Sequence, residues 1–253
     1  LPCAPLPAVG RMLGPRMPGP TRAAPHIDAA AGADADGVVP HLKGILKMPF
    51  LSHTDFLAST LWPNNPSLHP PILYGLFAEW DGSAAYDPAT LPTLIYADLR
   101  TGSAKALVQM DQELCSIVAG LREHYPQNVH LQSDFSMYHC VNENYEDQIT
   151  CKWDTVSSVL TNKAFAKHKI PYSQIEGGVV PTLKHKFFET DLPFGLCTFK
   201  DIANMLGLKT PLIDAMIRWN QACAPHTLAA VSRWRAAEGC WRPVEGCRGL
   251  QGR

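Results

Sequence analysis

The stretch SAKALVQMDQELCSIVAGLREH, residues 103–124, decides the fold class. Leu107, Met110, Leu114, Ile117, Val118 and Leu121 recur in it at steps of three and four. That spacing lays one apolar stripe along a 3.6-residue helix, running from Ser103 to His124. Asp154 to Lys167 places Val156, Val159, Leu160 and Ala164 in the same way. Nearer the C-terminus, Thr198 stands three residues before Asp201, close to a capping box, and Gly207 suits a helix stop. Thr210 before Pro211 is a favourable cap followed by a favourable first helical residue. Leu212, Ile213, Met216 and Ile217 form the inner face of that last helix. Period-two alternation is scarce. Asn128–Ser133 and Val179–Phe188 are the candidates for extended chain. The fold class expected is mainly α, with no internal repeat.

Outward from the helices the composition changes. Residues 1–40 are crowded with Pro, Ala and Gly and show no apolar period, so they read as low-complexity or disordered chain. Residues 223–253 are punctuated by Pro225, Gly239, Pro243, Gly246, Gly249 and Gly252 and read as an irregular tail. Residues 41–222 read as the folded, helical domain. The chain opens on Leu1 without a basic start and apolar run, and reads as a piece of something longer.

Of the 253 residues, 46% are apolar, an ordinary globular share. The net charge of −1 makes no electrostatic case for nucleic acid or an anionic membrane. The apolar runs are too short to span a bilayer. The eight cysteines include no C-x-x-C pair, which speaks against a zinc site and for free thiols in a reducing, cytoplasmic compartment. His130 and His139 lack metal spacing, and no metal is expected. No strand, G-x-G-x-x-G, helix pattern is visible: Gly10, Gly14 and Gly19 are wrongly spaced, so no cofactor-binding residues are assigned.

Two segments carry the candidate chemistry. In Asn64-Asn65-Pro66-Ser67-Leu68-His69-Pro70-Pro71, three prolines restrict the backbone and place His69 in extended chain just before an apolar helix, Ile72 to Trp80. An imidazole fixed there suits proton transfer. Spacing alone favours a capping or buried structural histidine. In Leu183–Leu196, cations, aromatics and carboxylates crowd together. Lys186 could hold a substrate carboxylate, and Asp191 could orient an imidazole. The charges also suit a solvated run, the reading kept for Lys184. The pair Gly177-Gly178 permits a tight turn or close approach to a ligand.

N-P-x-x-H-P followed by an apolar helix resembles the octopine/opine dehydrogenases. So do Tyr145-Glu146-Asp147-Gln148-Ile149, Gly177-Gly178-Val179-Val180-Pro181 and Asp191-Leu192-Pro193-Phe194-Gly195-Leu196-Cys197. Leu212-Ile213-Asp214 and Ile217-Arg218-Trp219 complete the resemblance, which covers about residues 45–222. It implies the helical C-terminal domain of the 6-phosphogluconate dehydrogenase-like type. The Rossmann domain for NAD is expected on a longer parent chain. The implied reaction is NADH-dependent condensation of an amino acid with pyruvate or a similar 2-keto acid, followed by imine reduction. The resemblance implies His69 as acid–base residue, Asp191 as its partner, and Lys186 and Asn65 as substrate contacts. The family places an arginine at the position of Lys186, and lysine cannot form the same bidentate fork. Two other readings stand beside this one. One is a truncated, non-catalytic helical binding module. The other is a dehydrogenase of the same helical type acting on a hydroxy acid or polyol phosphate.

Overall fold

The computed structural model describes residues 26–28, 35–47, 51–53, 55–63 and 65–223. It opens on a short parallel pair, β1 (His26–Asp28) with β2 (Leu51–His53), joined through α1 (Ala35–Leu46). β1 falls within residues 1–40 and α1 runs across their end, where the sequence shows no period. Most of that stretch lies outside the described residues, as does everything after Cys223. The helices α2 (Phe56–Leu61), α3 (Asn65–Phe77), α4 (Thr101–His124), α5 (Met137–Asn144) and α6 (Thr155–Leu160) follow. A hairpin, β3 (Tyr172–Ile175) with β4 (Gly178–Pro181), leads to a one-turn helix, α7 (Lys186–Glu189). A π-turn over Leu192–Leu196 then runs directly into α8 (Cys197–Met205), and α9 (Pro211–Cys223) closes the domain. The mainly α class is what the structure shows.

α4 organises the packing because its stripe serves two cores. Met110, Leu114, Ile117, Val118 and Leu121 face Phe199, Leu212, Ile213, Met216 and Ile217 of α8 and α9. Leu107 faces a second cluster with Leu73, Phe77, Tyr96, Phe165 and Phe188. All six stripe residues are buried. The N-terminus of α9 is capped from α4. Glu113, a buried carboxylate, accepts the Leu212 N–H at 2.7 Å and the Ile213 N–H at 3.0 Å. Lys200 of α8 ties the same end through Asp214 at 2.8 Å and the Thr210 hydroxyl at 3.2 Å.

α3 crosses α4 at a glycine pair. A Cβ on Gly75 would stand 2.5 Å from the Gly102 carbonyl. The Ser103 hydroxyl donates to the Ile72 carbonyl at 2.7 Å beside the crossing. Alanine ordinarily gains roughly 0.5–1 kcal/mol over glycine inside a helix. Forcing two backbones apart costs about 1–3 kcal/mol, so Gly75→Ala is expected to destabilise despite its better propensity. A thermal melt of the variant checks this: a midpoint at or above that of the unaltered chain would show that the crossing has room.

Several local expectations are corrected. His69 does not sit in extended chain ahead of a helix but inside α3, which begins at Asn65. Pro66 falls in the first turn, where its missing N–H has no intrahelical partner to lose. Pro70 and Pro71 do forgo ladder bonds. Yet Leu68 to Leu73 are all buried, and packing rather than propensity holds the helix. α6 stops at Leu160 instead of Lys167 because Asn162 bridges Ile149 and Lys163 donates its N–H to the Gln148 carbonyl at 2.9 Å. Thr198 is not a cap: the π-turn carries the helix through it, and its hydroxyl bonds to the Phe194 carbonyl at 3.1 Å. Gly207 ends α8 as expected, at φ +68°. The extended stretch from Val179 ends at Pro181, and Asn128–Ser133 forms no strand. The Gly177-Gly178 pair turns the hairpin and admits a backbone, not a ligand: a Cβ on Gly178 would stand 2.1 Å from the Tyr86 carbonyl oxygen. Cys115, Cys140, Cys197 and Cys223 form no disulfide, but Cys151 is disulfide-bonded, a departure from the free-thiol expectation.

Candidate active site

Two segments far apart in the chain meet at one imidazole. His69 comes from the middle of α3, and Asp191 from the junction between α7 and the π-turn. The junction can approach α3 closely because Gly195 lies against Pro66: a Cβ there would stand 2.2 Å from the proline ring. His69 Nδ1 and Asp191 Oδ2 are 2.7 Å apart, and both side chains are buried. A carboxylate at Nδ1 stabilises the Nδ1–H tautomer and leaves Nε2 as the free nitrogen.

Aromatic rings enclose the pair. Phe187 stacks on His69 with centroids 3.8 Å apart and planes 28° apart. Tyr96 lies 5.9 Å away and is itself stacked on Phe165 at 4.6 Å. Burial lowers the His69 pKa below the usual imidazole value, and Asp191 opposes that through its hydrogen bond and charge. His168 and Lys186 add smaller repulsive effects. The burial penalty wins, so the neutral imidazole is favoured near neutral pH, the form needed to accept a proton.

Of the four residues singled out in the sequence, the structure brings His69 and Asp191 into contact. Lys186 opens α7 and is exposed, with Nζ 5.9 Å from the Phe187 ring centroid. Its charge reaches His69 but the two do not touch. Asn65 is exposed at the first position of α3, one turn before His69 and therefore on a neighbouring part of the same helix face. Asn64 lies outside the described residues. Phe187, Tyr96 and Phe165 were not singled out, and no local pattern marks them, because their relevance lies in which ring they cover. Among the described residues no cluster of His, Cys, Asp and Glu could hold a metal, and no helix is long and apolar enough to cross a membrane. Among the described residues, Gly102 opens α4 against Gly75 and Gly207 ends α8, and neither belongs to a G-x-G-x-x-G run, so no dinucleotide site is assigned to them.

The chain is similar to proteins of known activity. A tauropine dehydrogenase of Arabella iricolor is 31% identical over 166 residues, 65% of this chain and 41% of that protein. An octopine dehydrogenase of Mizuhopecten yessoensis is 28% identical over 154 residues, 61% of this chain and 37% of that protein. The chain therefore spans about two fifths of the length of these relatives. The structure of an octopine dehydrogenase in complex with NADH and agmatine superimposes with a TM-score of 0.65 at 24% identity, covering 78% of this chain and 49% of the other. At that identity the likeness establishes the fold. The family model described as "NAD/NADP octopine/nopaline dehydrogenase, alpha-helical domain" matches residues 52–224, most of the chain, and the protein belongs to that family.

Proposed function

We propose that this domain is the substrate-binding, acid–base half of an NADH-dependent opine dehydrogenase that joins an amino acid to pyruvate or a similar 2-keto acid. The observation that carries the reading is the buried 2.7 Å contact between His69 and Asp191 in a chain of this family. In this reaction the amine adds to the keto carbon, water leaves, and the resulting imine is reduced by hydride. His69 serves the proton steps: Nε2 takes the proton that the amine nitrogen sheds as it adds to the keto carbon and passes it to the departing oxygen, while Asp191 holds Nδ1 and stabilises the intervening imidazolium. Lys186 supplies a cation for a substrate carboxylate, as a point charge rather than a fork. Asn65 lines the approach one turn from His69. The hydride donor is held outside the described residues, on a separate NAD-binding domain of a longer parent chain.

The test is NADH consumption by the purified chain with pyruvate and a panel of amino acids, alone and with a separately produced NAD-binding domain. Turnover is expected in the supplemented mixture, with a secondary amine as product. No NADH loss in either mixture, together with no pyruvate-dependent shift of the His69 ring signals, would favour the binding-module reading. That alternative draws on Lys186 in place of arginine and on the chain's partial span of its relatives.

A further inference from the structure

We propose that Phe187 is a positioning residue, whose ring face fixes the plane of the His69 imidazole so that Nε2 is presented in one direction. The inference rests on the reading of His69 as the acid–base group. A single hydrogen bond at Nδ1 sets a distance but leaves the ring free to rock about that bond. A flat ring at 3.8 Å and 28° removes this freedom on one face. Phe187 is itself held: it is 4% exposed, and His185 meets it edge-on at 4.3 Å. The His185 Nδ1 also accepts the Phe187 N–H at 3.4 Å. The Asp191 N–H donates to the Lys186 carbonyl at 3.2 Å, so the carboxylate and the stacking ring come from one continuous turn. That turn grips the imidazole twice, at its nitrogen and across its face. A phenylalanine that merely fills space would be replaceable by leucine with no effect on His69.

The experiment compares the unaltered chain with Phe187→Leu and Phe187→Tyr, reading the His69 ring by nitrogen–proton correlation NMR across a pH series. The unaltered chain and the tyrosine variant are expected to show one Nδ1–H tautomer with sharp lines. The leucine variant, with the core methyl signals of α4 unmoved, is expected to mix tautomers and broaden. Its titration midpoint should rise as water reaches the ring. In the supplemented NADH assay its kcat should fall about 10-fold with KM unchanged, as a slight misplacement of a catalytic group does. A folded leucine variant with the same tautomer, midpoint and kcat overturns the proposal. Should leucine prevent folding, Phe187→Met fills similar space without a flat face and carries the same readouts. The NMR arm needs no substrate. Absence of turnover in the unaltered chain therefore counts against the catalytic reading of His69, while an unchanged ring in the leucine variant counts against Phe187.

Discussion

His69→Ala is expected to reduce turnover by about 100-fold or more, the usual consequence of deleting a general acid–base group. The alanine variant also strips Asp191 of its partner. Asp191 is buried, and removing the N–H that its carboxylate accepts costs about 1.5–3 kcal/mol. Loss of activity in that variant could therefore come from loss of fold. His69→Gln separates the two effects. The glutamine amide can donate to Asp191, so most of the stability should return, but it cannot carry a proton, so the rate should stay low. The measurement is kcat/KM for both variants in the supplemented NADH assay, paired with thermal melts. A folded His69→Gln variant that turns over at the unaltered rate removes His69 from the proton steps.

Glu113→Gln should produce the largest loss of stability from a change of one atom type. The two carboxylate oxygens accept the Leu212 and Ile213 N–H groups, both at the N-terminus of α9. Hydrogen bonds to a charged acceptor contribute about 1.5–3 kcal/mol each, and the helix dipole adds to the attraction. An amide retains one acceptor and sets an NH2 donor against the other N–H, so one bond becomes a repulsive contact in a buried place. The expected cost is about 2–4 kcal/mol, or roughly 4–16 °C in melting temperature for a domain of this size. Glu113→Ala, which removes both acceptors and leaves a cavity, should cost at least as much. The exposed pair Lys152–Glu146, 4.0 Å apart, provides the contrast: breaking it should shift the melt by little. If Glu113→Gln melts with the unaltered chain, the α9 cap is not what anchors that helix.

The legibility of the fold in the sequence follows the range of the interaction involved. The α4 stripe could be read residue by residue because helix periodicity is a local property. The stop at Gly207 and the start at Pro211 are legible for the same reason. α3 was misread because Pro70 and Pro71 carry a strong local signal against a helix, and the burial that overrides it comes from α4, some thirty residues later. α6 was overextended because the bridge from Asn162 to Ile149, which ends it, has no local mark. At the site, His69 and Asp191 each stand out within their own segment, but their pairing comes from the motif resemblance, since 122 residues separate them and no spacing rule connects them. Lys186 stands out by its charge within Leu183–Leu196, and Asn65 by the resemblance. The structure places both exposed near the pair rather than in contact with it.

What the sequence determined by itself is the helical class, the apolar stripe of α4 and the motifs that mark the family. All depend on neighbours three, four or a few residues apart. What only the tertiary structure decided is the state of the imidazole: buried, joined to Asp191 at Nδ1, and faced by Phe187. It likewise decided that a glutamate on α4 caps α9, 99 residues away in sequence. Desolvation and hydrogen-bond satisfaction depend on what packs around a group, and that is set only when distant segments meet.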